Sequence, residues 1–463
     1  MCSGAAHVHI DSLQALGYDT RKSARRAFFE RARVLYDFDC EPDRVSLVQA
    51  FLLMTYWYDA SIRGRHKDRK FWIRESVTLA QDLGLDLELE NCTSKRQRLL
   101  KRIWWCCFMR DQFVALMTWT PPQFRAGYRS MPMLGLEDFE IKGYSEIVSR
   151  DFSGWAFIDS DRIRIELAML CIEKARLCLC IDRILQVRYT SLRHESATQT
   201  LTILVPKRNN SEIFEVIEHD HQLQGWYQGL SDSGNFDLRD PVSFQRDEAS
   251  NMITTHRAHL KLLFLSALIA LHRPQVLDGS GVVPSPYQQL SRAKLREAAD
   301  EVGHLAMCMT KLQMGTHIRP KGVTLFLPIL LVHLQDIAPE MVNRQGNRLS
   351  KYHHCMQILD SIGDQNIPED LLPLELEAAF RKLNILPSQD TTIPLAIPHL
   401  MQYHNQSSLE RGLPPYLSHL GTITSAEINL LTELCHPTTD IAPFIVSHED
   451  ESEVDIDFLD LTK

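Results

Sequence analysis

The stretch RLLKRIWWCCFMRDQFVAL, residues 98–116, constrains the fold of this chain more than any other feature. Ser94 is a good N-cap residue, so we predict a helix that begins there and runs to Trp119. Over most of this helix, apolar residues occur at nearly every angle rather than along one stripe. Such a helix must be enclosed by other elements, and we expect Trp104 and Trp105 to lie in the core.

Adjacent cysteines, Cys106 and Cys107, lie within this apolar run. Because successive helical residues point about 100° apart, the two thiols cannot share a metal ion, and a disulfide between neighbours would strain the helix. A second cluster, CIEKARLCLC, places Cys171 and Cys178 on one helical face near Cys180 but supplies no fourth ligand. We interpret both groups as core residues, with a zinc site at the second as the alternative.

Two charged residues, Arg110 and Asp111, lie in the same helix on faces whose other residues are apolar. If the helix is buried there, both charges need partners. We interpret them as part of a structural ion-pair network that orients adjacent helices. A catalytic carboxylate at Asp111 is the alternative, but no second carboxylate or nucleophile stands at helical spacing from it.

Most of the chain repeats apolar residues at three- and four-residue steps, while strand-like alternation is scarce. This pattern predicts an all-α fold: a large multi-helical domain over residues 25–440, an N-terminal tail over 1–24 and a flexible acidic C-terminal tail over 441–463. The segment TSLRHESATQTLTILVPKRNN after Tyr189 is interpreted as a break between helices. Besides the helix ending at Trp119, the clearest predicted helices are Arg44–Tyr58, Asp68–Leu85, Asp161–Tyr189, Arg246–His272 and Gln288–Met314.

Charge and hydropathy exclude several classes of protein. The chain has 50 Lys and Arg against 59 Asp and Glu, a formal charge of -9 and a pI of about 6.1, so no chain-wide basic field attracts nucleic acid. The longest apolar runs, residues 262–271 and 323–332, are shorter than the roughly 20 residues of a membrane span. The 11 cysteines lack the spacing of a disulfide framework, and the N-terminus lacks signal-peptide features. We therefore expect a nuclear or cytosolic protein with free thiols and no membrane partner.

Five stretches and the pair Pro121-Pro122 carry a family resemblance. The stretches are RRAFFERARVLYDFDCEPDR (25–44), VQAFLLMTYWYD (48–59), FWIRESVTLAQDLGLDLE (71–88), RLLKRIWWCCFMRDQFVAL (98–116) and LHRP (271–274). They resemble the middle homology region of fungal zinc-cluster transcription factors, above all the cutinase transcription factor type. The resemblance is strong over about residues 25–138 and weaker to about 274. It implies an all-helical regulatory domain of nuclear proteins that control gene expression, here of a metabolic or biosynthetic gene set.

The sequence departs from the family pattern at two places near the tryptophan pair. The family usually shows Asp followed by Arg in this helix, whereas Gln112 follows Asp111 here. A Gly-Arg-Pro motif usually comes soon after, whereas WTPP, ending in Pro121 and Pro122, stands in its place. We expect the local ion pair to be rewired, with Arg110 taking the place of the missing arginine.

The family's six-cysteine zinc cluster is not found in this sequence. Cys2 is the single cysteine before the matching region, and no Cys-x-x-Cys occurs anywhere. We therefore expect no zinc or other cofactor in this chain, zinc being implied only by a cluster upstream of it. Strong DNA binding by this chain alone is not expected; contact with the transcription machinery or with a DNA-binding partner regulator is, and a homodimer is a further option. Two explanations stay open: a regulator reduced to its regulatory domain, or a gene model without an upstream exon.

The C-terminal segment HEDESEVDIDFLDLTK interleaves acidic with apolar residues. Seven carboxylates oppose one lysine, which gives a net charge of -6 with His neutral and the terminal carboxylate uncounted. Such a segment stays solvated yet offers an apolar stripe that can fold onto a coactivator groove. We predict an activating tail with Phe458 and Leu459 as anchors. An acidic tail that only aids solubility is the alternative.

Other candidate sites are weaker. HDH (219–221) and HH (353–354) contain metal-binding residue types but lack a companion carboxylate at suitable spacing. The basic stretches RKSARR (21–26) and KRQRLLKR (95–102) fit either nuclear-import signals or solvated helix faces. No phosphate loop, nucleophile elbow, His-Glu-x-x-His or Asp-Asp-x-x-Asp occurs. We therefore expect no enzyme, and keep an all-helical cytosolic enzyme as the alternative.

Overall fold

The computed structural model describes residues 10–56, 69–85, 94–124, 131–139, 141, 160–195, 200–207, 213–230, 248–277 and 286–311. Within these ranges the chain forms α-helices, one 3-10 turn (Leu136–Asp138) and one β-hairpin. The helices are α1 (Ile10–Ala15), α2 (Arg21–Asp37), α3 (Arg44–Met54), α4 (Arg69–Asp82), α5 (Ser94–Thr118), α6 (Asp161–Arg188), α7 (Ile213–Gln228), α8 (Glu248–Leu277) and α9 (Pro286–Lys311). The strands are β1 (Tyr189–Glu195) and β2 (Thr200–Pro206).

The six helices expected from the sequence are all present, so the mostly helical fold class is confirmed. Their ends lie within a few residues of the predicted ones, except that α8 continues past His272, through Pro274, to Leu277. The predicted tail over residues 1–24 contains α1 and the start of α2, because Leu13 and Ala24 bury against each other. The predicted acidic tail, with Phe458 and Leu459, lies outside the described residues.

The segment after Tyr189, interpreted as a break, instead forms an antiparallel hairpin. Tyr189 pairs with Pro206 and Glu195 with Thr200, so the two strands match along their full lengths. The Leu204 N–H also donates a hydrogen bond to the Trp119 carbonyl oxygen at 2.6 Å, just beyond α5. The hairpin is therefore fastened to the end of the tryptophan helix.

The main hydrophobic core surrounds α5, α6 and α8. Helix α5 packs against α4 and α6, and α8 packs against α6, α7 and α9. Every residue from Leu262 to Leu271 is buried, as expected for a helix segment that is apolar all round. Trp104 and Trp105 are each 2% exposed, which confirms that the tryptophan pair belongs to the core. In the part of the chain that the structure describes, no helix is long and apolar enough to span a bilayer.

A smaller aromatic cluster joins α2, α3 and α4. The ring of Tyr36 meets the rings of Phe51 and Trp72 edge-on at 5.3 and 5.1 Å between centroids. Phe29 also meets Trp72 edge-on, at 6.3 Å. Edge-to-face contacts of this kind place a positive ring edge against a negative ring face, and they fix α2 against the two helices that follow it.

The cysteines of α5 and α6 are packing residues. Cys107, Cys171 and Cys178 are at most 3% exposed and belong to the main core, which confirms their interpretation. Burial raises the pKa of the Cys106 thiol to about 11 and raises the pKa values of the other three as well. Thiolates are therefore disfavoured at neutral pH. Among the described residues, no group of three or more His, Cys, Asp or Glu side chains could hold a metal ion.

Replacing Trp104 with Ala is expected to lower the free energy of unfolding by about 3–5 kcal/mol, because the ring stacks on Phe108 and meets Trp105 and Phe124 edge-on. Urea unfolding followed by circular dichroism measures this loss. The matched control is Phe38→Ala, since Phe38 is 76% exposed and its loss should change stability by less than about 0.5 kcal/mol. An unfolding midpoint equal to that of the unmutated chain would show that Trp104 is not a core residue.

Candidate functional site

The stretches that carry the family resemblance meet at buried polar junctions, the first of which is the C-terminal end of α3. The last carbonyl groups of a helix have no N–H partners within it. Arg110 of α5 donates from Nε to Thr55 Oγ1 at 2.8 Å and from Nη2 to the Thr55 carbonyl at 2.9 Å. Arg69 of α4 donates to the same carbonyl at 3.0 Å, and Arg25 of α2 to the Tyr56 carbonyl at 3.4 Å.

Three arginines from three helices thus converge on one helix end. All three are at most 6% exposed. The C-terminal end of a helix carries partial negative charge, so cations there are favourable. The Arg110 guanidinium also lies 4.1 Å from the centroid of the Tyr56 ring, which adds a cation–π contact. This junction ties α2, α3, α4 and α5 together.

Asp111, the neighbour of Arg110, points elsewhere. Its Oδ1 accepts the Gln123 N–H and its Oδ2 accepts the Phe124 N–H, both at 2.9 Å. These amides follow Pro121 and Pro122, which have no N–H to offer. The carboxylate therefore folds the chain after α5 back onto the helix. Among its described contacts Asp111 has no ion pair, so the prediction that Arg110 replaces the missing arginine in a local ion pair is wrong. Arg110 binds Thr55 instead, and Asp111 makes charge-assisted hydrogen bonds to backbone N–H groups.

Burial decides the proton affinity of Asp111. It raises the pKa of the carboxyl to about 7, while the hydrogen bonds from Gln123 and Phe124 lower it and the nearby Asp182 raises it further. Both oxygens are occupied by backbone donors and the residue is 2% exposed. The geometry and the burial thus suit an anchor for the Pro121-Pro122 turn.

A second junction forms where Pro274 interrupts the hydrogen-bond ladder of α8. A proline has no N–H, so the Ala270 carbonyl, four residues earlier, loses its helical donor. The Tyr189 hydroxyl donates to this oxygen at 2.8 Å. Arg188 Nε donates to the neighbouring Leu271 carbonyl at 3.3 Å. Pro274 of the LHRP stretch therefore leaves the Ala270 carbonyl without a helical donor, and Tyr189 at the start of the hairpin supplies one.

Trp119 of WTPP belongs to the same junction. Its φ of 49° lies in the left-handed region, which costs a bulky residue about 1–2 kcal/mol. Its carbonyl is held by the Leu204 N–H, and its ring centroid lies 5.1 Å from that of Tyr189. The Arg273 guanidinium lies 4.7 Å from the Trp119 ring centroid. WTPP and LHRP, far apart in sequence, are therefore in contact.

A third junction links α7, α8 and α9 through His272, which precedes Arg273. His272 Nδ1 lies 3.2 Å from Ser291 Oγ, and Nε2 lies 3.4 Å from Asp220 Oδ1. Lys294 Nζ lies 3.4 Å from the other Asp220 oxygen. Burial alone would raise the pKa of Asp220, but His272 and Lys294 together lower it.

The third junction contains the residue types of a hydrolase triad, yet its geometry does not favour catalysis. Ser291 and His272 are 3% and 2% exposed, so their reactive atoms are closed to a substrate. Asp220 is the middle residue of the HDH stretch, and it uses its carboxylate to join helices. Sequence reasoning missed this link, although LHRP had already drawn attention to His272.

Comparison with known proteins agrees with the resemblance. Residues 1–228 match the sequence profile described as the fungal specific transcription factor domain. This range covers α1 to α7, and so contains the arginine junction, Asp111 with its turn, and the hairpin. The match confirms the resemblance inferred from the motifs.

Several curated proteins are similar to the chain over most of its length. Cutinase transcription factor 1 beta of Fusarium vanettenii is 31% identical over 83% of this chain and 44% of its own length. The fusaric acid cluster transcription factor FUB12 of Gibberella moniliformis is 31% identical over 84% and 53%, and transcription factor cpaR of Aspergillus oryzae 27% over 71% and 53%. The chain spans about half the length of the curated relatives it matches. No solved structure matches it.

Replacing Tyr189 with Phe is expected to destabilise the fold by about 1–3 kcal/mol, because the buried Ala270 carbonyl loses its donor. Urea unfolding measures the loss. In a Pro274→Ala background, residue 274 has an N–H for that carbonyl, so the same substitution should cost less. An equal cost in both backgrounds would contradict the proposed pairing of Tyr189 with Pro274.

Asp111 should make stability depend on pH. The pKa of Asp111 in the folded state, about 7, lies above the ordinary value of 3.8, so the folded state takes up a proton as pH falls from 8 to 6. The unmutated chain should therefore gain about 1.4 kcal/mol relative to Asp111→Asn over this interval, and lose it as pH rises again. Urea unfolding of both proteins at the two pH values tests this. Parallel pH profiles would place the folded-state pKa outside the interval.

Proposed function

We propose that the chain is a transcriptional regulator of a fungal metabolic or biosynthetic gene set and that it acts through protein contacts of its helical domain. The observation that supports this most is the match of residues 1–228 to the fungal specific transcription factor domain. Two relatives of the chain are named for cutinase and for the fusaric acid cluster, and both names refer to metabolism. The junctions add a physical argument, because the matching stretches serve to position helices.

The proposed domain is a scaffold rather than a catalyst. Within the described residues the buried ionisable groups of the three junctions bind backbone atoms or one another, as Arg110 binds Thr55 and His272 lies between Ser291 and Asp220. Groups used in this way hold helices in place and do not face a substrate. We therefore propose a regulator that is not an enzyme, with the nucleus as its site of action and the cytoplasm as a second location.

Partners and metals belong to the proposal as well. The net charge of -9 gives the chain no general attraction for DNA, so we propose contact with the transcription machinery or with a DNA-binding partner regulator. A homodimer is a further option. Zinc is not part of the proposal for these 463 residues, and its presence would point to ligands that the sequence pattern does not indicate.

The acidic tail supplies the proposed contact with the transcription machinery. Its apolar residues alternate with carboxylates, and Phe458 and Leu459 form the bulkiest adjacent pair. Large apolar side chains contribute most of the binding energy when a short helix docks into a groove.

A tethering experiment tests this function. The full chain is fused to a foreign DNA-binding domain, and expression of a fungal reporter gene is measured against the DNA-binding domain alone. We expect the fusion to change expression and the double variant Phe458→Ala, Leu459→Ala to reduce that change. The matched control replaces Ser452 and Thr462 with Ala, which keeps both the charge and the apolar residues of the tail.

Two outcomes distinguish a failure of the proposed function from a failure of the proposed role of the tail. A reporter signal equal to that of the DNA-binding domain alone would contradict the proposed function. A strong signal that survives the double variant, or truncation after Ser447, would keep the regulator and reject the tail as its contact surface.

A further inference from the structure

Arg273 differs from several buried arginines of the described helices. Arg69 and Arg110 donate to the Thr55 carbonyl, Arg164 to the Ile141 carbonyl and Arg188 to the Leu271 carbonyl. Among the described contacts, Arg273 has neither a hydrogen bond nor an ion pair, only the Trp119 ring 4.7 Å away. A contact with a ring face uses the positive charge of a guanidinium but none of its five N–H donors.

The aromatic residues around Arg273 are held in place by hydrogen bonds. Trp119 is held in its left-handed conformation by the Leu204 N–H at 2.6 Å, and the Tyr189 ring beside it is fixed by the hydrogen bond to Ala270. The Thr120 N–H also donates to the Ala115 carbonyl, so the left-handed Trp119 closes the C-terminal end of α5 as a helix cap. The Trp119 ring is thus fixed against the guanidinium by contacts from the hairpin and from α8.

Arg273 and Trp119 are both partly buried, so they are in contact with solvent as well as with the core. Burial lowers the pKa of Arg273, and the nearby Tyr189 partly offsets this. The guanidinium has lost part of its hydration, and no hydrogen-bond acceptor for its N–H groups occurs among the described contacts. An anion with paired oxygens would supply them.

We propose that Arg273 and Trp119 form a binding site for a small organic carboxylate that carries a flat apolar group. The carboxylate accepts two parallel N–H donors of Arg273, the bidentate geometry that guanidinium favours. The flat group packs beside the Trp119 ring, which is partly exposed. The site shares no residue with the arginine junction or with the acidic tail.

Isothermal titration calorimetry of the full chain tests the site with three probes: benzoate, acetate and inorganic phosphate. We expect benzoate to bind most tightly, because it has both the carboxylate and a ring. Arg273→Gln should weaken benzoate binding about tenfold to a hundredfold, and Arg273→Lys should weaken it less, since lysine keeps the charge without the planar fork.

The matched control is Arg162→Gln. It removes one positive charge at the N-terminal end of α6, the end away from Tyr189, where the Arg162 side chain is 87% exposed. It should leave benzoate binding unchanged. Thermal unfolding of each variant without a probe shows whether it is folded. If Arg273→Gln does not fold, the benzoate affinity of Arg273→Lys is compared with that of the unmutated chain instead.

Three results would overturn the proposal. The first is the absence of Arg273-dependent heat with any probe at tens of millimolar. The second is benzoate binding that is equal in the unmutated chain and in Arg273→Lys and Arg273→Gln. The third is Arg273-dependent binding of phosphate without binding of benzoate, which would replace the carboxylate by a phosphate ligand.

Discussion

The packing of the N-terminal helices depends on the arginine junction at the end of α3. A buried helix end needs donors for its last carbonyl oxygens, and a buried guanidinium needs acceptors for its N–H groups. Arg69 and Arg110 meet both needs at the Thr55 carbonyl, and Arg25 adds a donor to the Tyr56 carbonyl. Lysine could not do the same at position 110, where one planar fork reaches the Thr55 hydroxyl and carbonyl together.

The parts of this fold that follow from local pattern were predictable. Helix α5 shows apolar residues at nearly every angle, and that periodicity requires burial whatever the neighbours are. Helix α5 begins at Ser94, as expected. The start of α3 follows from capping chemistry, because the Asp43 side chain accepts the Val45 and Ser46 N–H groups. Sequence alone likewise established that Arg110 and Asp111 need partners, because a buried charge without them is costly.

The identities of those partners were not predictable, because they come from distant parts of the chain. Arg110 meets Thr55 across 55 residues, and Tyr189 meets Ala270 across 81. No local pattern relates a proline in α8 to a hydroxyl at the start of a hairpin. The hairpin was interpreted as a break because strand character depends on pairing and burial more than on intrinsic preference. Leu204 acquires its pairing from Ser191 and Trp119 and its burial from the main core.

Gln112 shows how the tryptophan helix accommodates a departure from the family pattern. The resemblance implies an arginine after the aspartate, a cation positioned to compete for the carboxylate. Gln112 is 0% exposed, and neither polar atom of its amide has a hydrogen-bond partner among the described residues. Such an amide costs about 1–3 kcal/mol, less than an unpaired buried charge would cost. A neutral side chain at 112 leaves the Asp111 carboxylate to the N–H groups of Gln123 and Phe124, so the turn after Pro122 takes the place of an ion pair.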